Sequence, residues 1–195
     1  MSFSAVILAG GKSSRMGCDK AFVTVDGQTL LARQIQLVRE AGASEIFISG
    51  RLGVDYSAFG PQVLEDKFHD AGPLAGIHRA LAAATSPLLL VLAVDLPGMT
   101  ADFLRQLAAG CPENTGVVPR VVGNLEPLAA IYPKAALPLA TLLLGQNSLT
   151  VKKFAERCEQ AALVSFAHPP DSAARFFVNC NAPGDLHQVV PKMSR

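Results

Sequence analysis

The sequence predicts an α/β fold, a mainly parallel, doubly wound sheet with helices on both faces. Short apolar runs alternate with helix-sized blocks, which is the pattern of β-α-β units. The run Leu88–Val94 holds no polar side chain, as expected of a strand buried on both faces of a parallel sheet. Glycines and charged residues gather just past the apolar runs, in Gly10–Lys20, Glu65-Asp66 and Asp95. In open α/β sheets that rim binds ligands.

Ala5–Leu8 is the first strand and enters the glycine-rich loop. Thr29 to Ala41 is helical, with Leu31, Ile35 and Val38 on one face and Gly42 as the stop. Strands follow at Glu45–Ser49 and Gln62–Leu64, then an alanine-rich helix from Gly72 to Ala84, closed by Thr85-Ser86-Pro87. After Leu88–Val94, Thr100 caps a helix that turns Phe103, Leu104 and Leu107 inward and ends at Gly110. The second half reads as strands near Gly116–Val122, Leu128–Tyr132 and Ala162–Phe166, with helices near Lys134–Leu144 and Thr150–Glu159 and a last one from Pro183. With no repeat, linker or low-complexity tract, residues 1–195 read as one domain.

Half of the 195 residues are hydrophobic and 17% are charged, enough for one sizeable core. A formal charge of +1 supplies no global field for nucleic acid or an acidic membrane, so an anion site must be local. Cys18, Cys111, Cys158 and Cys180 are dispersed without a Cys-x-x-Cys, and the four histidines are scattered too. That pattern gives zinc no support and fits a reducing compartment. MSFSAVILAGGK has no basic n-region and only a short apolar stretch, and no run approaches the roughly 20 residues that span a bilayer. The expectation is a soluble, cytoplasmic protein.

The loop LAGGKSSRMGCDK, Leu8 to Lys20, carries the chemistry. A P-loop needs a glycine five residues before Gly11, where Val6 stands, and a dinucleotide fingerprint needs glycines where Lys12 and Arg15 stand. What is left is a basic glycine-rich loop facing carboxylates from two other strands. That set suits a nucleotide with bound Mg²⁺: backbone N–H groups and cations take phosphates, and carboxylates take the metal. Gly10-Gly11 also suits an ordinary tight turn, Asp66 a plain loop carboxylate, and Asp95 a turn or cap residue. Since Leu88–Val94 offers no other polar group, a site here would have to use Asp95. Cys18 is a small filler or a reactive thiol, and His69 and His78 read as surface or helix polar-face residues.

Leu8-Ala9-Gly10-Gly11-x-Ser13-x-Arg15-Met16-Gly17-x-Asp19-Lys20 resembles the signature of the molybdenum cofactor guanylyltransferases and their MobA-like relatives. Glu65-Asp66, Gly72-Pro73-Leu74-Ala75-Gly76-Ile77, Asp95-Leu96-Pro97, Glu126-Pro127-Leu128 with Tyr132, and Asn179-x-Asn181-x-Pro183 follow in the family's order. The resemblance implies a Rossmann-like, GT-A-like nucleotidyltransferase fold. It implies transfer of GMP from GTP to the phosphate of molybdopterin carrying molybdenum, with release of pyrophosphate. By carry-over, Leu8, Ala9, Gly10 and Gly11 hold the guanine nucleotide through backbone, and Lys20 and Arg15 act on phosphate charge. Asp66 helps to bind nucleotide, Asp95 holds Mg²⁺, and Gly72 and Pro73 border the base. Asn179 and Asn181 lie toward the pterin phosphate. Ser49 stands where some relatives carry an Asn that contacts the base. Implied partners are GTP, molybdopterin and, transiently, cofactor-synthesis enzymes or recipient molybdoenzymes.

The nearest alternative is a molybdopterin cytidylyltransferase using CTP. Such relatives tend to carry Ala-Ala-Gly where this chain has Leu8-Ala9-Gly10-Gly11, which favours GTP. Sugar-phosphate nucleotidyltransferases share the Gly-Gly-x-x-x-Arg theme but are commonly longer. A non-catalytic nucleotide-binding module is the alternative of a different class, and retention of Lys20 with Asp95 argues against it.

Overall fold

The computed structural model describes residues 2–10, 19–64 and 72–180. Strand β1 (Phe3–Leu8) is followed by a small hairpin, β2 (Thr24–Val25) and β3 (Gln28–Thr29), then helix α1 (Leu30–Glu40). Next come β4 (Glu45–Ser49), β5 (Gln62–Leu64), α2 (Pro73–Ala83), β6 (Leu88–Ala93) and α3 (Ala101–Ala109). The remainder is β7 (Gly116–Val121), β8 (Asn124–Leu125), β9 (Ala129–Pro133), α4 (Leu137–Gly145), α5 (Val151–Gln160) and β10 (Val164–Ala167).

The main sheet has the order β10-β7-β9-β6-β1-β4-β5, with β8 paired to β7. Strands β6, β1, β4 and β5 are mutually parallel, and β10 is parallel to β7. Strand β9 runs antiparallel to both β6 and β7. The sheet is therefore mainly parallel with one reversed strand inside it.

Alternation along the strands divides the core in two, because successive side chains point to opposite faces. Phe3, Ala5 and Ile7 of β1 and Leu88, Leu90 and Leu92 of β6 pack with Leu31, Ile35 and Val38 of α1 and Phe103, Leu104 and Leu107 of α3. Val6 and Leu8, with Leu89 and Val91, pack with Leu74, Ile77 and Leu81 of α2, Leu143 of α4 and Phe154 of α5. Helices thus cover both faces, which is why β6 is apolar throughout. Cys111 and Cys158 are buried in this core, and burial pushes their thiols up to about 11 and about 12; neither supplies thiolate at neutral pH.

Several ends shift from the sequence expectation. Thr29 and Thr100 are N-caps, their hydroxyls accepting from the N–H groups of Ala32 and Phe103. Gly42 has φ +98°, the conformation of a left-handed stop, whereas Gly110 ends α3 in the right-handed region. Val94 leaves β6 for the turn that carries Asp95. The Lys134 block opens as a 3₁₀ turn before α4. The β2–β3 hairpin escaped the hydrophobic pattern, although Asp26-Gly27, both at positive φ, is a strong two-residue turn signal. His78, half-buried on α2, has its Nε2 bonded to Thr141 of α4 at 3.1 Å. The helix expected from Pro183 lies outside the described residues. Among those described, no helix is long and apolar enough to cross a membrane.

Gly116 tests the β7–β9 junction. A Cβ there would fall 2.1 Å from the Ile131 carbonyl oxygen, a backbone atom that cannot rotate away. Gly116→Ala is expected to cost about 1–3 kcal/mol, roughly 2–4 °C of Tm per kcal/mol at this size. Gly145→Ala, with open space around its Cβ, is expected to leave the melting temperature unchanged or slightly raised in the same thermal scan.

Candidate active site

The site is generated by a reversal in strand order. The chain runs from β1 outward to β4 and β5, then crosses back to place β6 on the other side of β1. The crevice beyond the carboxyl ends of β1 and β6 is therefore a topological switch point. Here the Val94 N–H donates to the Leu8 carbonyl at 3.1 Å, and the Ala9 N–H donates to the Ser49 carbonyl at 2.8 Å. These bonds consume the Leu8 carbonyl and the Ala9 N–H. The Ala9 carbonyl and exposed Gly10 are the first main-chain groups beyond them. A Cβ on Gly10 would lie 3.3 Å from the Gly50 carbonyl oxygen, so the two rim segments approach closely.

Lys20 and Asp95 meet in this crevice. Lys20 Nζ donates to Asp95 Oδ2 at 3.0 Å, with side chains 18% and 22% exposed. The Asp95 turn is braced from three sides. Gln34, fully buried on α1, donates through Nε2 to the Leu96 carbonyl at 2.8 Å, and Arg33 Nε donates to the Pro97 carbonyl at 3.2 Å. The Cys180 N–H donates to the Asp95 carbonyl at 2.9 Å. Gln34 and Arg33 carried a sequence signal that pattern reading passed over: two polar residues adjoining the apolar stripe of α1.

Lys20 is held by what precedes it. Asp19 caps the 3₁₀ turn Lys20–Phe22, accepting from the Ala21 N–H at 3.0 Å. Its other oxygen accepts from the hydroxyl of Tyr56 at 2.6 Å, and that hydroxyl accepts from the Arg51 N–H at 3.1 Å. Tyr56 is 1% exposed and stacks on Phe22, ring centroids 5.7 Å apart. Burial, foremost, pushes its phenol up to about 12. Gly50 makes room for the ring, since a Cβ there would lie 2.2 Å from Cε2. Tyr56 sits in a loop without periodicity, and only tertiary structure reveals its part.

On the β6–β9 side of Asp95 lies an open cavity of about 330 Å³, lined by Pro73, Ala93, Leu96, Glu126, Leu128 and Asn179 among others. Asn179 precedes the Cys180 that holds Asp95, and Pro73 is the first residue of α2. Gly72, with φ +64°, is the cap of that helix. Burial raises the Glu126 carboxyl above the usual range. The Glu126-Pro127-Leu128 motif marks this residue in the sequence without indicating a role.

The structure therefore brings Leu8, Ala9, Gly10, Lys20 and Asp95 to one crevice, with Pro73 and Asn179 on its flank. It buries the Ser49 side chain, while the Ser49 carbonyl stays at the rim as acceptor of the Ala9 N–H. That side chain is 4% exposed, and its Oγ lies 2.3 Å from where a Gly76 Cβ would be, so Ser49 packs under α2. Gly11, Arg15, Cys18, Asp66, His69 and Asn181 lie outside the described residues. Among those described, no group of three or more His, Cys, Asp or Glu could hold a metal. The partly exposed Asp95 carboxylate in the turn after β6 still fits Mg²⁺, which takes one or two carboxylates and completes its shell with phosphate oxygens and water.

Comparison with known proteins agrees with this fold. A protein from Opitutus terrae named a probable molybdenum cofactor guanylyltransferase is 36% identical over 187 residues, covering 94% of this chain and 93% of that protein. The molybdenum cofactor guanylyltransferase of Xanthomonas euvesicatoria is 31% identical over 192 residues, covering 96% and 94%. The crystal structure of molybdopterin-guanine dinucleotide biosynthesis protein A from Archaeoglobus fulgidus superposes with a TM-score of 0.69 at 24% identity, covering 95% and 96%. Residues 5–162 match the MobA-like NTP transferase domain. With that match over most of its length and the switch-point crevice at its centre, the chain belongs to the MobA-like NTP transferase family.

Proposed function

We propose that this protein transfers GMP from GTP to the phosphate of molybdopterin carrying molybdenum, forming the guanine dinucleotide cofactor and releasing pyrophosphate. The observation that carries the reading is the meeting of Lys20 and Asp95 at the switch point, a cation from the turn Lys20–Phe22 and a carboxylate from the turn after β6. Membership of the NTP transferase family gives the reaction class, and the relatives' names give the substrates. The reading takes residues 1–195 as one domain working in the cytoplasm.

The acceptor phosphate is already an anionic nucleophile, so no strong general base is needed. Its oxygen attacks the α-phosphorus of GTP, and a new P–O bond forms. The α–β bridging bond breaks, and its electron pair leaves with pyrophosphate. Catalysis then rests on in-line positioning and on offsetting negative charge. Lys20 exchanges its carboxylate partner for phosphate oxygens and neutralises charge on the departing pyrophosphate. The Ala9 carbonyl and Gly10 hold the nucleotide through main chain at the end of β1. Asp95 would hold Mg²⁺, which when bound supplies charge neutralisation on phosphoryl oxygens. The braces on Asp95 from Gln34, Arg33 and Cys180 and those on Lys20 from Asp19 and Tyr56 fix both groups before substrate arrives.

The direct test is a nucleotide panel: molybdopterin, Mg²⁺ and one of GTP, CTP, ATP or UTP, with the dinucleotide product identified. GTP alone should yield product; a CTP product instead would make the protein a cytidylyltransferase. GTP near 100 Kd should raise the melting temperature by about 5–10 °C, from about 2.7 kcal/mol of linkage, with CTP doing much less.

Lys20→Ala should lower kcat/KM by on the order of 10²–10³, as for loss of one preorganised donor. Asp95→Asn should abolish most product formation while keeping part of GTP binding. Ordinary turnover in either variant, measured beside its melting temperature, would remove that residue from the chemistry.

Tyr56→Phe keeps the ring and deletes the hydroxyl between Asp19 and Arg51. It should cost about 1–3 kcal/mol and lower kcat/KM by about 10- to 100-fold through displacement of Lys20. The folded chain holds the Tyr56 proton more tightly than the unfolded one, whose tyrosines titrate near about 10. That stabilisation is complete below pH ~10 and disappears as pH rises toward 12. Buried Tyr132 acts in the same sense. Melting curves against pH should show a shallower alkaline loss for Tyr56→Phe than for the wild type.

A further inference from the structure

We infer that Glu126 recognises the pterin ring of the acceptor, its carboxylate receiving the paired N–H donors of the 2-amino-4-oxopyrimidine edge. The inference rests on the guanylyl-transfer reading for the identity of the acceptor, and on the cavity beside Asp95 for the residue.

The cavity has the size and lining of a small-ligand site. Its volume of about 330 Å³ falls in the range of such pockets, which are mostly apolar with a few placed polar groups. Ala93, Leu96, Pro127, Leu128 and Leu149 supply apolar wall suited to a flat ring, and among the described residues Glu126 is its one acidic lining residue. Among the described residues no donor bonds the Glu126 carboxylate, although the residue is half-buried. A partly desolvated carboxylate without partners is costly, and a ligand bringing two adjacent N–H donors relieves that cost. Few groups fit better than the N3–H and 2-amino pair of a pterin, which matches both oxygens at once.

The turn that presents Glu126 is fixed in advance. Tyr132, fully buried, donates from its hydroxyl to the Pro127 carbonyl at 3.0 Å. The Glu126 N–H donates to the Pro119 carbonyl at 2.9 Å, and the Ala129 N–H to the Glu126 carbonyl at 3.2 Å. The Ala93 N–H donates to the Leu128 carbonyl at 2.8 Å, which ties the turn to β6 two residues before Asp95. Glu126 is thereby held at a fixed offset from the reacting centre.

Guanine carries the same donor edge, so position decides between the two rings. The nucleotide loop leaves β1, whose far neighbour is β4, whereas the Glu126 cavity opens on the β6–β9 side. Donor and acceptor phosphates must meet at Asp95 from opposite directions for in-line attack. An acceptor with its ring at Glu126 points its phosphate arm back toward Asp95.

The test uses two probes on the full chain: 6-hydroxymethylpterin phosphate and its 2,4-dioxo counterpart, in which a carbonyl replaces the 2-amino group. Binding is read from quenching of the probes' own fluorescence. Wild type should prefer the 2-amino probe by about 10- to 100-fold, the discrimination of a good bidentate pair. Glu126→Gln should weaken that probe by a similar factor and erase the preference, while KM for GTP stays unchanged. Equal affinity of wild type for both probes, failure to bind the pterin probe, or an unaltered Glu126→Gln would each overturn the inference. A raised KM for GTP with unchanged pterin binding would also overturn it, moving Glu126 to the guanine. Should Glu126→Gln fail to fold, the two-probe comparison on wild type decides alone. Turnover is scored separately: Glu126-dependent pterin binding without guanylylated product defeats the functional reading and leaves this inference standing.

Discussion

Lys20 and Asp95 are 75 residues apart in sequence and 3.0 Å apart in space, and the order of strands in the sheet brings them there. If β6 paired anywhere but beside β1, Lys20 and Asp95 would not meet. Because both strands are parallel and in register from Phe3–Leu88 to Leu8–Ala93, their carboxyl ends stop at the same level. Asp95 leaves β6 at that level, and the Lys20 side chain meets it there. The ion pair partners both charges at a partly exposed site, where an unpartnered one would be costly.

The crevice is precise because its supports come from elements with other duties. Helix α1 packs Leu31, Ile35 and Val38 into the core and uses Gln34 and Arg33 to hold the Leu96 and Pro97 carbonyls. Tyr56 belongs to the same core and caps its polar end with Asp19 and the Arg51 N–H. Gly50 and Gly76 matter for space: each faces a side chain, Tyr56 and Ser49 respectively, where any Cβ would collide. These contacts let the backbone segments at the rim approach one another.

The flank that we assign to the acceptor follows the same logic on the other side of Asp95. Strand β9, reversed between two neighbours, ends the parallel run of the sheet. The turn before it carries Glu126-Pro127-Leu128, and the buried Tyr132 hydroxyl fastens that turn from below. The spacing of Glu126-Pro127-Leu128 and Tyr132 is thus a single structural unit, a buried anchor and the half-buried carboxylate it presents.

Much of this was legible in the chain. Leu88–Val94, free of polar residues, announced a strand covered on both faces, and Thr29, Thr100 and Gly42 marked helix ends through their own local chemistry. Asp95 was legible as a rim residue because nothing else polar lay near it. Such features are local, resting on propensity and on periods of 2 and 3.6 that a single segment displays. Tertiary structure alone decided that Ser49 turns under α2, that Tyr56 reaches Asp19, and that Glu126 faces a cavity beside Asp95. Each of those outcomes depends on which strands become neighbours and how closely two backbones approach, and no single segment encodes a neighbour.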